Sequence, residues 1–155
     1  MNTNNHVISF ASFEDVDDIY SLIEKNAHKG LILKRSKEDI AYYLGHFFVS
    51  KYNGKFSGVG SYYDYGESLK EIRSLAVLDE HKQSGIGSLL LQKVISYLKH
   101  KGNPKIFVLT YSPNFFIKNG FKIVTKDTLP EKIWKDCDFC PNKNHCVETA
   151  LVYVG

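Results

Sequence analysis

Apolar residues along this chain recur first at a spacing of two and then at three to four, and the switches between the two periods mark its elements. Val7 to Phe10 alternates as a short strand. Ser12 then stands as a helix cap with Asp15 three residues on, and Val16, Ile19, Tyr20 and Ile23 follow at helical spacing. After a loop from Ala27 to Arg35, Ser36 caps a second helix with Asp39 in the box position and Ile40, Tyr43 and Leu44 on one face. Strands near Phe47 to Tyr52 and Lys55 to Tyr63 flank Asn53-Gly54, the dipeptide of a tight hairpin. Leu69 to Leu78 is the next strand. Ile86, Leu90, Val94 and Leu98, with Leu91 and Ile95 beside them, give the long helix a buried stripe. Lys105 to Thr110 is a strand, Asn114 to Asn119 a short helix ended by Gly120, and Phe121 to Val124 another strand. Thr128, Pro130 and Glu131 open a short helix through Trp134, and Thr149 to Val154 is the final strand. The order β-α-α-β-β-β-α-β-α-β-(α)-β predicts an α/β (α+β) fold, a mixed β-sheet sandwiched by helices.

A chain of 155 residues can bury one proper core but not two, so residues 1–155 are expected to form a single domain. The formal charge of +3 is mild and spread along the sequence. It suits an anionic small molecule and gives no reason to expect nucleic acid. The start, Met1 to Asn5, is polar and uncharged, unlike a secretion signal, and no apolar run reaches membrane-spanning length. Three cysteines, an odd number, crowd into the last twenty residues, which argues against a secreted disulfide scaffold and for a cytoplasmic location.

The segment with most chemistry in it is Glu71-Ile-Arg-Ser-Leu-Ala-Val77, followed after four residues by Lys82-Gln-Ser-Gly-Ile-Gly87 and the long helix. A helix start presents unpaired N–H groups and the positive end of the macrodipole, which together make an anion site. Gly85 and Gly87 would let a phosphate approach the backbone, and Lys82 adds a cation. No Gly-Lys-Ser/Thr closes the loop, and Leu90 stands where a dinucleotide fingerprint needs its third glycine, so neither of those nucleotide motifs applies. A helix opening at an ordinary glycine turn is the other reading.

The loop resembles the Arg/Gln-x-x-Gly-x-Gly pyrophosphate loop of the GNAT acyltransferases, with Lys82 in the Arg/Gln place. The resemblance spans nearly the whole chain and can be narrowed. Gly30-Leu-Ile-Leu-Lys-Arg-Ser36, Glu71 to Val77 and Phe107-Val-Leu-Thr110 are similar to the acetyltransferase domain of the N-acetylglutamate synthase family. The short bacterial members also share Asn114-Phe-Phe-Ile-Lys-Asn-Gly-Phe121 and the ending Leu129-Pro-Glu-Lys-Ile-Trp-Lys-Asp-Cys137-x-x-Cys140-Pro. The resemblance implies acetyl transfer from acetyl-CoA to the amine of a small amino acid, L-glutamate, the opening step of arginine synthesis. Longer members carry an arginine-sensing amino-acid-kinase domain, for which 155 residues leave no room.

Acetyl transfer from a thioester needs a neutral amine, whereas an α-amino group is mostly protonated near neutral pH. A nearby carboxylate, acting directly or through water, would take the proton. Glu71 is the expected base, since the family places its base at this point of the strand. Period-two alternation puts Leu69, Glu71, Arg73 and Leu75 on one face, and a structural Glu71–Arg73 ion pair is the alternative. The superfamily's strand splays here, which implies that backbone amides near Ala76 and Val77 hold the thioester carbonyl and, with Leu75, the pantetheine arm. Lys82, Gln83, Ser84, Gly85, Ile86, Gly87 and Ser88 are expected to cradle the pyrophosphate. For the acceptor's carboxylates the resemblance implies Lys34 and Arg35, with Arg73 as a further contact and Ser74 acting partly through its backbone. By composition alone Lys34-Arg35 reads as a solvated surface pair.

One departure stands out. Many GNAT enzymes place a Tyr four residues before the Gly-Phe that ends the late helix, to protonate the leaving thiolate, and here Phe116 holds that position. Tyr111 is near in sequence, with no direction assigned. Cys137, Cys140 and Cys146, with His145, are weak candidates for Zn²⁺, because adjacent His145 and Cys146 cannot easily converge on one ion. Buried structural thiols are the expectation, with no metal. His6, His28, His46, His81 and His100 read as isolated surface or packing residues. Partners are then acetyl-CoA and an amino acid, without nucleic acid or membrane and with a homodimer left open. The rival readings are a GNAT enzyme with another amine or protein-lysine acceptor, a non-catalytic acyl-CoA-binding regulator, and a zinc-stabilised interaction module.

Overall fold

A computed structural model describes residues 5–129 and 148–155. Strand β1 (His6–Phe10) leads through a 3-10 turn (Phe13–Asp15) into α1 (Val16–His28), then α2 (Lys37–Tyr42), β2 (Phe47–Tyr52), β3 (Lys55–Asp64) and β4 (Leu69–Val77). Helix α3 (Ile86–His100), β5 (Lys105–Thr110), α4 (Pro113–Lys118), β6 (Phe121–Val124) and β7 (Thr149–Tyr153) complete it. Among the described residues the strands form one sheet in the order β1-β2-β3-β4-β5-β7-β6. Neighbours run antiparallel except β4 and β5, which are parallel because α3 carries the chain back across the sheet. No described helix is long and apolar enough to cross a membrane.

Local chemistry explains most boundaries. Ser12 N–H donates to the Asp15 carboxylate at 2.8 Å, but the chain first tightens into the 3-10 turn, so α1 proper begins at Val16. Ser36 Oγ accepts from Asp39 N–H at 3.0 Å and caps α2. Asn53 and Gly54 take φ of 50° and 82°, the left-handed pair that a two-residue hairpin turn requires. Pro113 opens α4 one residue earlier than the sequence pattern suggests, since its missing N–H is unneeded at the first helical position. A 3-10 turn covers Lys126–Thr128 and Leu129 is extended; the rest of the short helix expected from Thr128 through Trp134 lies outside the described residues.

Helices cover both faces of the sheet. Against α3 pack Phe48, Tyr62, Ile72, Ile106, Val108 and Leu151, meeting the stripe of Ile86, Leu90, Leu91, Val94, Ile95 and Leu98. Helices α1 and α2 lay Val16, Ile19, Leu22, Ile23 and Ile40 on Phe47, Val49, Val59 and Ala76 of the opposite face. On that face, further along, Leu69, Phe107, Leu129 and Ala150 form a smaller cluster.

Two irregularities in β4 shape everything that follows. Its register against β3 jumps between Val59 and Ser61, which pair with Ala76 and Arg73, so Ser74 and Leu75 together oppose Gly60. Ser74 takes φ 52° at this bulge. One inserted residue reverses the alternation beyond it. Leu69, Glu71 and Arg73 therefore share a face as expected, but Leu75 does not join them; it packs with Ile72 against the α3 side. The second irregularity is on the other edge. Pairing with β5 runs only from Leu69↔Lys105 to Glu71↔Phe107, and residues 72–77 leave β5 altogether. The sheet is split there.

Candidate active site

Where β4 and β5 part, a cavity of about 1030 Å³ passes through the sheet. Its lining joins the two faces: Val108 belongs to the α3 side, while Leu109 and Glu71 belong to the α1–α2 side. The cavity brings together Lys34, Arg35, Glu71, Arg73, Ser74, Leu75, Ala76, Val77, Lys82, Gln83, Gly85, Gly87 and Ser88. These residues come from three separate stretches of chain. Ile86 and Ser84 are not among the lining residues. The Ile86 side chain is buried in the α3 core, and the Ser84 hydroxyl donates back to the His81 carbonyl at 2.5 Å, so each could serve a ligand only through its backbone.

At one end of the cavity lies the start of α3. Gln83 and Gly85 both adopt left-handed φ, 68° and 85°, and Gly85, Gly87 and Ser88 of the helix start line the opening. Ser88 is tied to α4, its hydroxyl accepting from Asn119 Nδ2 at 3.2 Å, while Asn119 also donates to Phe115 O at 2.8 Å. Lys82 Nζ lies 3.0 Å from Asp79 Oδ1, and Lys25 Nζ reaches the other oxygen at 2.6 Å. Hydrogen bonds from Lys25 and Lys82 hold the Asp79 carboxyl far below the usual carboxylate range. The loop rests on His81, which is buried with its ring 5.2 Å from that of His6 and 5.1 Å from that of Tyr52. Of the five histidines expected to be isolated surface or packing residues, His6, His46 and His81 are packing residues. His6, His81 and Tyr52 form one cluster, and His46 stacks on Tyr62 at 4.5 Å, contacts between strands and turns far apart in sequence. Burial and the neighbouring His81 lower the proton affinity of His6.

At the other end stands Glu71, 7% exposed. Arg73 Nε donates to its Oε1 at 2.8 Å, and Tyr65 O–H donates to the same oxygen at 3.2 Å. Arg73 Nη2 donates in turn to the Tyr65 hydroxyl at 2.9 Å, closing a triangle, and the guanidinium lies over the Tyr63 ring at 4.2 Å. The Glu71–Arg73 ion pair weighed from sequence is therefore present, and it lines the cavity. Tyr65 belongs to the hairpin between β3 and β4, where no periodicity marks a residue as inward-facing, so sequence reasoning passed over it. Arg35 donates through Nε to Asp39 Oδ2 at 2.6 Å and packs its guanidinium 4.8 Å over Phe47. It is not a solvated surface residue: its side chain is 11% exposed. Lys34 is exposed at the same rim.

Three other placements bear on the chemistry. Phe116 is buried against Phe115 and Phe121 and also lines the cavity, so the position at which the resemblance implied a hydroxyl is apolar here. Tyr111 is not among the lining residues. Glu148, which sequence reading missed, does line the cavity. No cluster of three or more metal-ligating side chains occurs among the described residues; Cys137, Cys140, His145 and Cys146 lie outside them.

The acetyltransferase (GNAT) family model matches residues 14–121. An uncharacterized N-acetyltransferase of Chlorobaculum tepidum is 41% identical over 142 residues, 92% of each chain. The amino-acid acetyltransferase of Shewanella oneidensis is 30% identical over 124 residues, which make up 79% of this chain. This chain spans 28% of that relative's length. Among solved structures, N-acetylglutamate synthase from Neisseria gonorrhoeae, complexed with coenzyme A and N-acetyl-glutamate, superposes with a TM-score of 0.87 at 27% identity. The superposition covers 96% of this chain and 34% of that one.

Proposed function

The chain belongs to the acetyltransferase (GNAT) family, and from that premise we propose that it acetylates the α-amino group of L-glutamate, giving N-acetylglutamate for arginine synthesis. It is an N-acetyltransferase that uses acetyl-CoA. The observation that carries the glutamate reading is the split in the sheet: one cavity has the glycine turn that opens α3 at one end and a nearly buried carboxylate with a basic rim at the other. Similarity to amino-acid acetyltransferases and to a synthase holding N-acetyl-glutamate supports that choice of acceptor.

The residues present fit acetyl-CoA. Gly85, with φ 85°, would leave the α3 amides open to a pyrophosphate, and the edge of β4 that has parted from β5 would offer backbone groups to an extended pantetheine arm. Bound there, acetyl-CoA supplies an acyl group on a good leaving sulfur. Amides near Ala76 and Val77 would receive the negative charge that develops on the carbonyl oxygen. Glu71 would remove the proton from the attacking amine, with Arg73 and Tyr65 fixing the orientation of its carboxylate. Arg35 would meet one of the acceptor's carboxylates, with Lys34 a nearby point charge, and Arg73, behind Glu71, would add a third positive charge. Since Phe116 offers no proton, the thiolate would leave stabilised by backbone dipoles and solvent rather than by a tyrosine.

A second acceptor class has one observation in its favour. Arg35 and Arg73 already hold carboxylates, Asp39 and Glu71, so an amino acid with a neutral side chain would ask less of the rim. Coenzyme A release measured across the amino acids, with mass analysis of the product, separates the two. Acetylated glutamate as the dominant product supports the proposal, and preference for a neutral or cationic amine overturns it.

A further inference from the structure

The mechanism above leaves Glu148 without a task. It stands one residue before β7, whose Thr149 pairs with Thr110 at the end of β5. Along β7, Leu151 and Tyr153 face α3, whereas Ala150 and Val152 pack with Phe107 and Leu109 on the opposite face. Two-residue alternation places Glu148 with Ala150, on the face that also holds Glu71. It lines the same cavity, half-buried, and no described residue hydrogen-bonds to its carboxylate. Glu71 is level with Phe107, and Glu148 lies one step past Thr110, about 13 Å further along the strands at 3.3 Å per residue. β7 is also two strands from β4, at about 4.8 Å per strand, so the two residues stand at separate points of one face. That separation matches an acceptor whose amine is at Glu71 and whose side chain points toward Glu148.

We propose that Glu148 is a specificity-determining residue that reads the far end of the acceptor, and that an acceptor carboxylate binds there only together with a proton shared with Glu148. This rests on the glutamate reading. Two carboxylates in one partly desolvated space cannot both stay ionised; one proton taken from solvent turns their repulsion into an O–H···O⁻ hydrogen bond. Burial already raises the proton affinity of Glu148, opposed by Lys126 in the turn after β6. Glutamine needs no such proton, because its amide N–H₂ donates to the ionised carboxylate. The other charged or titratable groups lining the cavity are Lys34, Arg35 and its partner Asp39 from the α1–α2 side, Glu71 and Arg73 from β4, His81 and Lys82 ahead of α3, and Lys118 from α4. Those of β4 and the α1–α2 side, with the Tyr65 hydroxyl, would meet the α-amino and α-carboxyl groups common to both acceptors, while His81, Lys82 and Lys118 stand at the coenzyme end, which both reactions share. Their titration therefore cancels largely in the ratio of kcat/KM for glutamate over glutamine.

The test is that ratio, measured by coenzyme A release between about pH 6 and pH 9, for the full chain and for Glu148→Gln. With one proton taken up, the wild-type ratio falls with rising pH, approaching tenfold per unit. In Glu148→Gln the slope disappears and glutamate improves at the alkaline end, while acetyl-CoA affinity and Tm stay unchanged; Glu148→Asp keeps a slope. A flat wild-type ratio, or the same slope in Glu148→Gln, overturns the proposal while leaving glutamate as the acceptor. Absence of acetylglutamate from both proteins at every pH, with acetyl-CoA still bound, overturns the glutamate reading and this inference with it.

Discussion

Arg73 and Glu71 stand two residues apart on one face of β4, and Arg73 Nε donates to Glu71 Oε1 at 2.8 Å. Same-face neighbours at i and i+2 make such a pair available to any strand, so the contact alone does not mark a base. Its position does. Glu71 is the last β4 residue to pair with β5, and the strand edge opens into the cavity immediately after it.

Glu71→Gln keeps the shape and removes the basicity, so turnover should fall roughly 10²–10⁴-fold with acetyl-CoA affinity preserved. Steady-state kinetics over pH, together with calorimetry of acetyl-CoA binding, measure both. Near-normal turnover with an unchanged pH profile would reduce Glu71 to a structural partner of Arg73.

Arg35→Ala should lower kcat/KM for glutamate by roughly ten- to a hundredfold and leave the KM for acetyl-CoA nearly unchanged. Because Arg35 also packs on Phe47, truncation removes contact area as well as charge. Arg35→Lys separates the two effects: it restores charge without the bidentate geometry and should recover only part of the activity. A truncated variant that treats glutamate normally would sink the assignment.

Gly85→Glu combines a strained φ with a bulky anion at the proposed pyrophosphate site. Acetyl-CoA affinity should weaken about tenfold or more in calorimetry, since like-charge contacts cost several kcal/mol. Unchanged affinity in a folded variant would show that the phosphate binds elsewhere.

A stability prediction follows from packing under α3. A Cβ on Gly58 would come within 2.9 Å of Leu90 Cδ1 and Ser50 Oγ and 3.0 Å of the Ala76 carbonyl. Gly58→Ala should therefore destabilise the protein by about 1–3 kcal/mol in denaturant unfolding. An unperturbed midpoint would mean that α3 can slide on the sheet.

The hairpin that carries Tyr65 is fastened by Lys70, which donates to Asp64 Oδ1 at 2.5 Å and to the Gly66 carbonyl at 2.6 Å. The hydrogen bond from Lys70 lowers the Asp64 carboxyl below its ordinary value, with burial opposing. A depressed folded-state value contributes stability above the unfolded pKa, about 4, and that contribution is lost as pH falls through the folded value. Asp64→Asn should accordingly lower Tm near neutrality, and the gap to wild type should close in acid. A gap independent of pH would assign the effect to packing instead.

Read by itself, the sequence determined the element order, the Ser36 cap of the second helix, the Asn53-Gly54 hairpin and the glycine loop before α3. Each depends on residues within a few positions of one another, where periodicity and capping chemistry act. It also marked Glu71, Arg73, Arg35 and Lys82 as candidates. Only the tertiary structure decided how these meet. The bulge at Ser74 turned Leu75 to the other face, because one extra residue reverses a two-residue period. The parting of β4 from β5 after Glu71 placed three remote stretches around one cavity. Tyr65, Asp39 and Glu148 entered the site through a hairpin loop, a helix and the start of the last strand, and nothing local to them encodes a neighbour across the sheet. Local rules write the elements; the register between strands, a long-range property, makes the site.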